Sequence, residues 1–359
     1  MKKPLCLENR MNNISKLITE FDPFKKPYHI LVVANISEKI NCRKDFVEHS
    51  FDGEFFSKAE FAQILSAITS IFGYVHTFFS ETEFICYVLE NIDILKAEST
   101  LVYNFARDGV KEGKKSLIPA FCDLYGLKYT GSNAFVISLL RNKFIFTRLL
   151  GACAIPVPHT YKFNARINQF DTQVSGGRYI IKSISQSASH LMSRENIVSA
   201  KSPEELHCIV DQYCQKNKLI DVLIQEYIEG IENECEVLVF KTKESFIAMP
   251  PIGLKIDGDE ILTEDISNDY AYTFFNLQDK YPPSLIEKIC KDTEKAASIL
   301  GIKTYARFDY RIDARGNHYL IDIAGTPYAI EHSSIAYLFK EILHMNYNDF
   351  FKILAVIDE

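Results

Sequence analysis

Ala306-Arg-Phe-Asp-Tyr-Arg311, Tyr319-Leu-Ile-Asp-Ile323 and the Thr326-Pro327 that follows decide how this chain is read. Both runs alternate side chains as strands do, and Arg315-Gly316-Asn317 supplies a turn that joins them into a hairpin. That pairing predicts Asp309 and Asp322 on neighbouring strands, facing one pocket. Two carboxylates held on rigid strands suit a magnesium ion carrying nucleotide phosphates, because magnesium takes hard oxygen ligands and keeps positions open for phosphate. Arg307 shares a face with Asp309 and would neutralise phosphate charge. Taken alone, the stretch is explained equally well by a solvated hairpin with two surface acids.

The 359 residues are too many for one small core, so two or three subdomains are expected. A hydrophobic share of 47% with 24% charged residues fits the soluble globular class. The net charge of −7 leaves no basic surplus to displace counterions, which argues against a nucleic-acid partner. Lys111-Glu-Gly-Lys-Lys115 mixes bases with an acid and reads as a solvated turn. The 9 cysteines include no Cys-x-x-Cys pair. Several sit in apolar runs, Cys86 and Cys153 among them, as small hydrophobes. A reducing cytoplasm is therefore expected rather than a disulfide or metal framework. No run approaches the roughly 20 apolar residues of a membrane span, and the start lacks the apolar core and cleavage site of a signal peptide.

Along the chain, residues 1–27 are polar and form an arm or short helix. His29–Ala34 and Leu101–Tyr103 read as buried strands, while Phe55–Phe72 and Leu117–Tyr125 show helical spacing. This alternation predicts an α/β class with an open parallel sheet. Further on, Arg178–Lys182 and Val222–Ile228 are strands flanking a helix over 203–217. Glu236–Phe240 and Phe246–Met249 read as an antiparallel pair, and an amphipathic helix over 283–300 leads into the acidic hairpin. Residues 257–279 read as a long acidic loop of the kind that serves as a lid or stays disordered.

With these pieces in place, the chain resembles the D-alanine–D-alanine ligases of the ATP-grasp superfamily. Tyr103–Gly109 with Glu112-Gly113 resembles the family's Gly-rich substrate turn, and Gly126-Leu-Lys-Tyr-Thr-Gly-Ser132 its following strand and loop. Asn142-Lys143, Gly151–Pro158, Val222–Gly230 and the acidic hairpin match further family motifs in order. The resemblance implies an arm (1–27), an N-terminal α/β domain (28–140), and an ATP-grasp fold of two α+β subdomains (141–229 and 230–359). It also implies ATP with magnesium, or manganese in its place, as cofactors and an amino acid or small peptide as substrate. A homodimer is compatible with it.

Each matched position carries an implied role. Lys143 and Lys182 would hold ATP phosphates. Glu226, Tyr227 and Ile228 would line the adenine pocket, and Glu234 would bind the ribose, with Glu232 the competing choice. Asp309 and Asp322 would hold the metal. Arg307, Ser189 and Ser333 would serve catalysis, Ser187 being an alternative to Ser189. Glu54, His332 and Ser333 would bind substrate, Glu54 through an ammonium, although Ser333 is equally suited to cap a helix. Three departures accompany the match: Ala324 replaces an Asn ligand, Ser185–His190 lacks lid glycines, and 256–279 contains neither Lys nor Arg. The expected activity is a carboxylate–amine ligase working through an acylphosphate. The alternative is a degenerate ATP-grasp protein that binds nucleotide or peptide without ligating. A two-domain binding protein of periplasmic type fits the alternation but not the hairpin.

Overall fold

The computed structural model describes residues 5–21, 28–39, 54–185, 192–230, 234–256 and 261–357. Three sheets organise them. The first is parallel, in the order β2-β1-β3-β4, from β1 (Tyr28–Ala34), β2 (His76–Phe78), β3 (Ser99–Phe105) and β4 (Lys128–Tyr129). Its central strands are apolar on both faces because helices cover both, as parallel sheets require. Helix Lys58–Phe72 starts at a capping box in which Ser57 and Glu60 satisfy each other's backbone N–H. Loops leaving the carboxyl ends of β1 and β3 reach a cleft, the usual place for a binding crevice in an open α/β sheet.

The second sheet is antiparallel, with the order β6-β5-β9-β7-β8: β5 (Thr160–Asn164), β6 (Gln169–Phe170), β7 (Gly177–Ser183), β8 (Ile197–Ala200) and β9 (Asp221–Glu226). Helix Pro203–Asn217 buries Leu206, Val210 and Cys214 in the same core as Phe163, Ile181 and Ile224. The third sheet runs β13-β12-β10-β14-β15, with β11 also pairing β10. Its strands are β10 (Glu234–Lys241), β11 (Phe246–Ala248), β12 (Ile252–Ile256), β13 (Tyr272–Asn276), β14 (Tyr305–Ile312) and β15 (His318–Ala324). Helix Pro283–Leu300 lays Ile286, Ile289, Ala297 and Leu300 against Val237, Phe308 and Leu320. The hairpin turn forms as expected, Asp313 accepting from the backbone of Arg315 and Asn317 with Gly316 at φ 81°.

A single core joins the first and third sheets. Tyr103 of β3 packs with Phe240, Tyr305 and helix Asp349–Val356, and its hydroxyl donates to the Phe351 carbonyl at 2.6 Å. Helix Leu5–Glu20 occupies most of the expected arm, buries Ile14 in that core and ion-pairs Arg10 with Glu294.

Two expectations are corrected. Residues 257–279 are not one loop: Glu264–Asn268 is a helix and Tyr272–Asn276 a strand antiparallel to β12. Acidic residues drew attention away from Tyr272, Phe274 and Phe275, whose aromatic, strand-forming character prevailed. Cys86 is exposed rather than packed, while Cys122, Cys214, Cys235 and Cys290 are buried. Among the described residues no helix is long and apolar enough to cross a membrane.

Candidate functional site

Strand register builds the first part of the site. Glu236 of β10 pairs with Asp309 of β14, and Asp309 pairs with Asp322 of β15. Paired positions project from the same face of a sheet, so three carboxylates gather where the third sheet lines a cleft of about 920 Å³. Cations answer them. Arg307 donates through Nε and Nη2 to the two carboxylate oxygens of Asp309, each at 2.8 Å. Its Nη1 stands 3.3 Å from Glu236 Oε1. Lys143 begins helix Lys143–Ala152, capped by Asn142, and ion-pairs with Asp322. Burial would raise the Asp322 carboxyl, but Lys143 and then Lys182 outweigh it and lower the group. For Glu236 burial wins over Arg307 and pushes the carboxyl up. Sequence reading missed Glu236. The available signal was an acid inside an apolar strand, which is costly unless paired.

Asp309 and Asp322 present hard oxygens on directly facing positions, a donor set that fits magnesium. Among the described residues no group of three His, Cys, Asp or Glu side chains is arranged to hold an ion unaided. Phosphate oxygens would have to complete the shell, as magnesium ordinarily allows. Ala324, opposite Arg307, adds no donor.

The second sheet contributes the opposite wall. Lys182 of β7 donates to Gln225 Oε1 at 3.0 Å, and Gln225 is buried on β9. Glu226, Tyr227 and Ile228 line the same cleft. Their course is set by backbone bonds, Glu226 donating to the His159 carbonyl at 2.8 Å and Tyr227 to that of Arg178 at 2.9 Å. Arg178 and Arg311 lie over the Tyr227 ring at 4.4 and 4.9 Å. Arg311 was not anticipated, although its spacing from Asp309 on one strand pointed inward. The Glu234 side chain, Glu232, Ser187 and Ser189 lie outside the described residues.

The first sheet closes the remaining end. Glu54, 1% exposed, is ion-paired with Lys114 and lies 3.5 Å from Arg141 Nη2. Burial would raise its carboxyl, yet Arg141, Lys115 and Lys114 hold it well below the usual range. Lys114 and Lys115 are themselves buried, so the expectation of a solvated turn at 111–115 is overturned. The turn folds back under Gly109, whose φ of 120° and close approach to Lys114 shape the loop. A Cβ on Gly109 would meet the Lys114 Cα at 2.7 Å. Gly109→Ala is therefore expected to cost about 1–3 kcal/mol, read as a lower denaturant midpoint with an unchanged slope. His332 lines the cleft among the rings of Tyr270, Tyr272 and Phe274, and burial lowers its imidazole. Ser333 also lines the cleft. Its hydroxyl caps helix Ser334–Tyr337, accepting from Ala336 N at 3.2 Å and donating to the Ile330 carbonyl at 2.6 Å.

Residues 188–355 match the family described as D-ala D-ala ligase C-terminus. The D-alanine–D-alanine ligase of Carboxydothermus hydrogenoformans is 24% identical over 228 residues, covering 60% of this chain and 69% of that protein. That of Geobacter sulfurreducens is 22% identical over 220 residues, covering 60% and 64%. Among solved structures, the Bacillus anthracis D-alanine–D-alanine ligase complexed with ATP superposes with a TM-score of 0.62 at 16% identity, covering 92% of this chain and 96% of that one. The Coxiella burnetii enzyme gives 0.59 at 13% identity, covering 92% and 94%. The chain has the fold of the D-alanine–D-alanine ligases, and its residues 188–355 are similar to their C-terminal part. The ATP-grasp fold accounts for the cleft's construction: the second and third sheets face each other across it, and the parallel sheet closes one end.

Proposed function

We propose that this ATP-grasp chain is an ATP-dependent ligase that joins a carboxylate to an amine. One observation carries the reading: Asp309 and Asp322 face each other across paired strands, with Arg307, Lys143 and Lys182 gathered around them in a single cleft. In the reaction, a substrate carboxylate oxygen attacks the γ-phosphorus and the bond to the bridging oxygen breaks, leaving ADP and an acylphosphate. The amine nitrogen then attacks the acyl carbon, phosphate leaves, and the nitrogen gives up a proton to form the amide.

The side chains divide that work. Lys143 and Lys182 would hold phosphate oxygens as point cations. Arg307 would stabilise charge as it develops on the moving group. Magnesium held by Asp309 and Asp322 would offset phosphate charge. Until nucleotide arrives, Lys143 and Arg307 neutralise those same acids, so the cations change partners on binding while the acids stay paired throughout. Glu226, Tyr227 and Ile228 support an adenine pocket beside β9. The substrates would be small amino acids or peptides.

Thermal unfolding with and without nucleotide tests the reading. A ligand at about 100 times its dissociation constant stabilises the native state by about 2.7 kcal/mol, so Mg-ATP or Mg-ADP is expected to raise Tm by several degrees. An unchanged Tm at millimolar nucleotide, with and without magnesium, would remove the basis for the proposal. ADP release across a panel of amino acids, with product masses, separates ligation from nucleotide binding alone.

A further inference from the structure

Among the described residues, the end of the cleft built by the first sheet gathers four buried cations around one buried carboxylate, with Glu60 also on the lining. Arg107, Lys114, Lys115 and Arg141 are 2%, 5%, 8% and 7% exposed, and the carboxylate shared among them is Glu54. Glu54 is already engaged by Lys114 and Arg141. Among the described residues no hydrogen bond or ion pair reaches the Lys115 ammonium. Arg107 lies between the rings of Phe56 and Tyr328, 4.4 and 4.5 Å from their centroids. It donates from Nη2 to the Thr326 carbonyl at 3.3 Å, and its Nε is buried without a hydrogen-bond partner.

This arrangement is held by the backbone. Arg107 N donates to Asn35 Oδ1 at 2.5 Å, Asn35 Nδ2 to Glu81 at 2.9 Å, and Asp108 N to Glu81 at 3.0 Å. Lys115 N donates to the Asp108 carbonyl at 2.8 Å, and Lys115 itself sits at φ 68°, a conformation unfavourable for a lysine. Strain of that kind persists only where the surroundings impose it, and here it keeps Lys115 buried against the cleft. Buried cations without counter-charges are unfavourable, and an incoming anion relieves them.

We propose that the substrate bound at this end carries a second anionic group, beyond the carboxylate that reacts, received by Arg107 and Lys115. Resting on the ligase reading, this makes an acidic amino acid or a phosphate monoester the substrate class rather than alanine. Burial, then repulsion from Arg107 and Arg141, disfavours the Lys115 ammonium, and an anion seated beside it would favour it again.

The test uses the full chain in calorimetric titrations and ADP-release assays. Its probes are D- and L-glutamate, D- and L-glutamine, O-phosphoserine and D-alanine. The best acidic probe is expected to bind at least about tenfold tighter than its neutral counterpart, given the strength of charge-assisted hydrogen bonds. Glutamate against phosphoserine tells carboxylate from phosphate. Lys115→Met should cut the acidic preference at least about tenfold and leave neutral probes unchanged, with Lys115→Arg restoring part of it. Equal or tighter binding of glutamine or D-alanine to the wild type overturns the proposal, as does undiminished acidic preference in a folded Lys115→Met protein. Mg-ADP is titrated into the same samples. Loss of nucleotide binding with acidic preference intact would defeat the ligase reading alone, and the reverse result this inference alone.

Discussion

Asp309→Asn is expected to lower ADP-release turnover by at least about a hundredfold while the protein stays folded. The change removes one charge at the centre of the cleft and keeps the side chain's shape. Arg307 loses its two-oxygen partner but keeps Glu236 at 3.3 Å, so the guanidinium is not left buried and unpaired. What is lost is the negative oxygen that would hold magnesium opposite Asp322. Removing one electrostatic contributor to a transition state typically costs 10²–10³-fold, roughly the effect expected here. Lys182→Ala should cost a comparable factor by removing a cation proposed to hold phosphate, since its partner Gln225 is neutral and tolerates the loss. Steady-state turnover of either variant within about threefold of wild type, at an unchanged melting temperature, would mean the reacting phosphate lies elsewhere.

Glu54→Gln should destabilise the chain by about 3–5 kcal/mol, because removing one partner of a buried ion pair strands the others. Here the groups that lose the carboxylate are Lys114 and Arg141, with Lys115 close by. The pH dependence has a definite sign. The folded carboxyl lies below the ordinary value of 4.5, so the unfolded state binds the extra proton. Its contribution is therefore complete above that value and is lost as pH falls toward the depressed one. Denaturant unfolding from pH 7 to 3 should show wild type losing stability on the acid side and the Gln variant losing less. Parallel curves for the two proteins would place the acid sensitivity in other carboxylates.

Several parts of this architecture were legible in residue order. Alternation in 306–311 and 319–323, with Gly316 between, makes a hairpin whichever neighbours it has, because strand period and turn chemistry are local. Apolar runs at 29–34 and 101–103, separated by a helical period, call for a parallel sheet for the same reason. The helices read over 203–217 and 283–300 form within those bounds.

Other features depended on distant partners. Strand Tyr272–Asn276 was hidden among acids, and it exists because β12 offers an edge to pair with. Glu236 gained its place beside Asp309 from register between strands separated by some seventy residues. Lys114 and Lys115 were read as solvated because lysine usually is, and nothing local says that Gly109 turns them under Glu54 and Arg141. By itself the sequence determined the longer helices, the central strands of the parallel sheet and the acid pair of the hairpin, since those follow from periodicities of two and 3.6 residues. Only the tertiary structure decided which charges share a buried space. Electrostatic energy depends on distance and on how much water remains between charges, and neither is written in the order of residues along a chain.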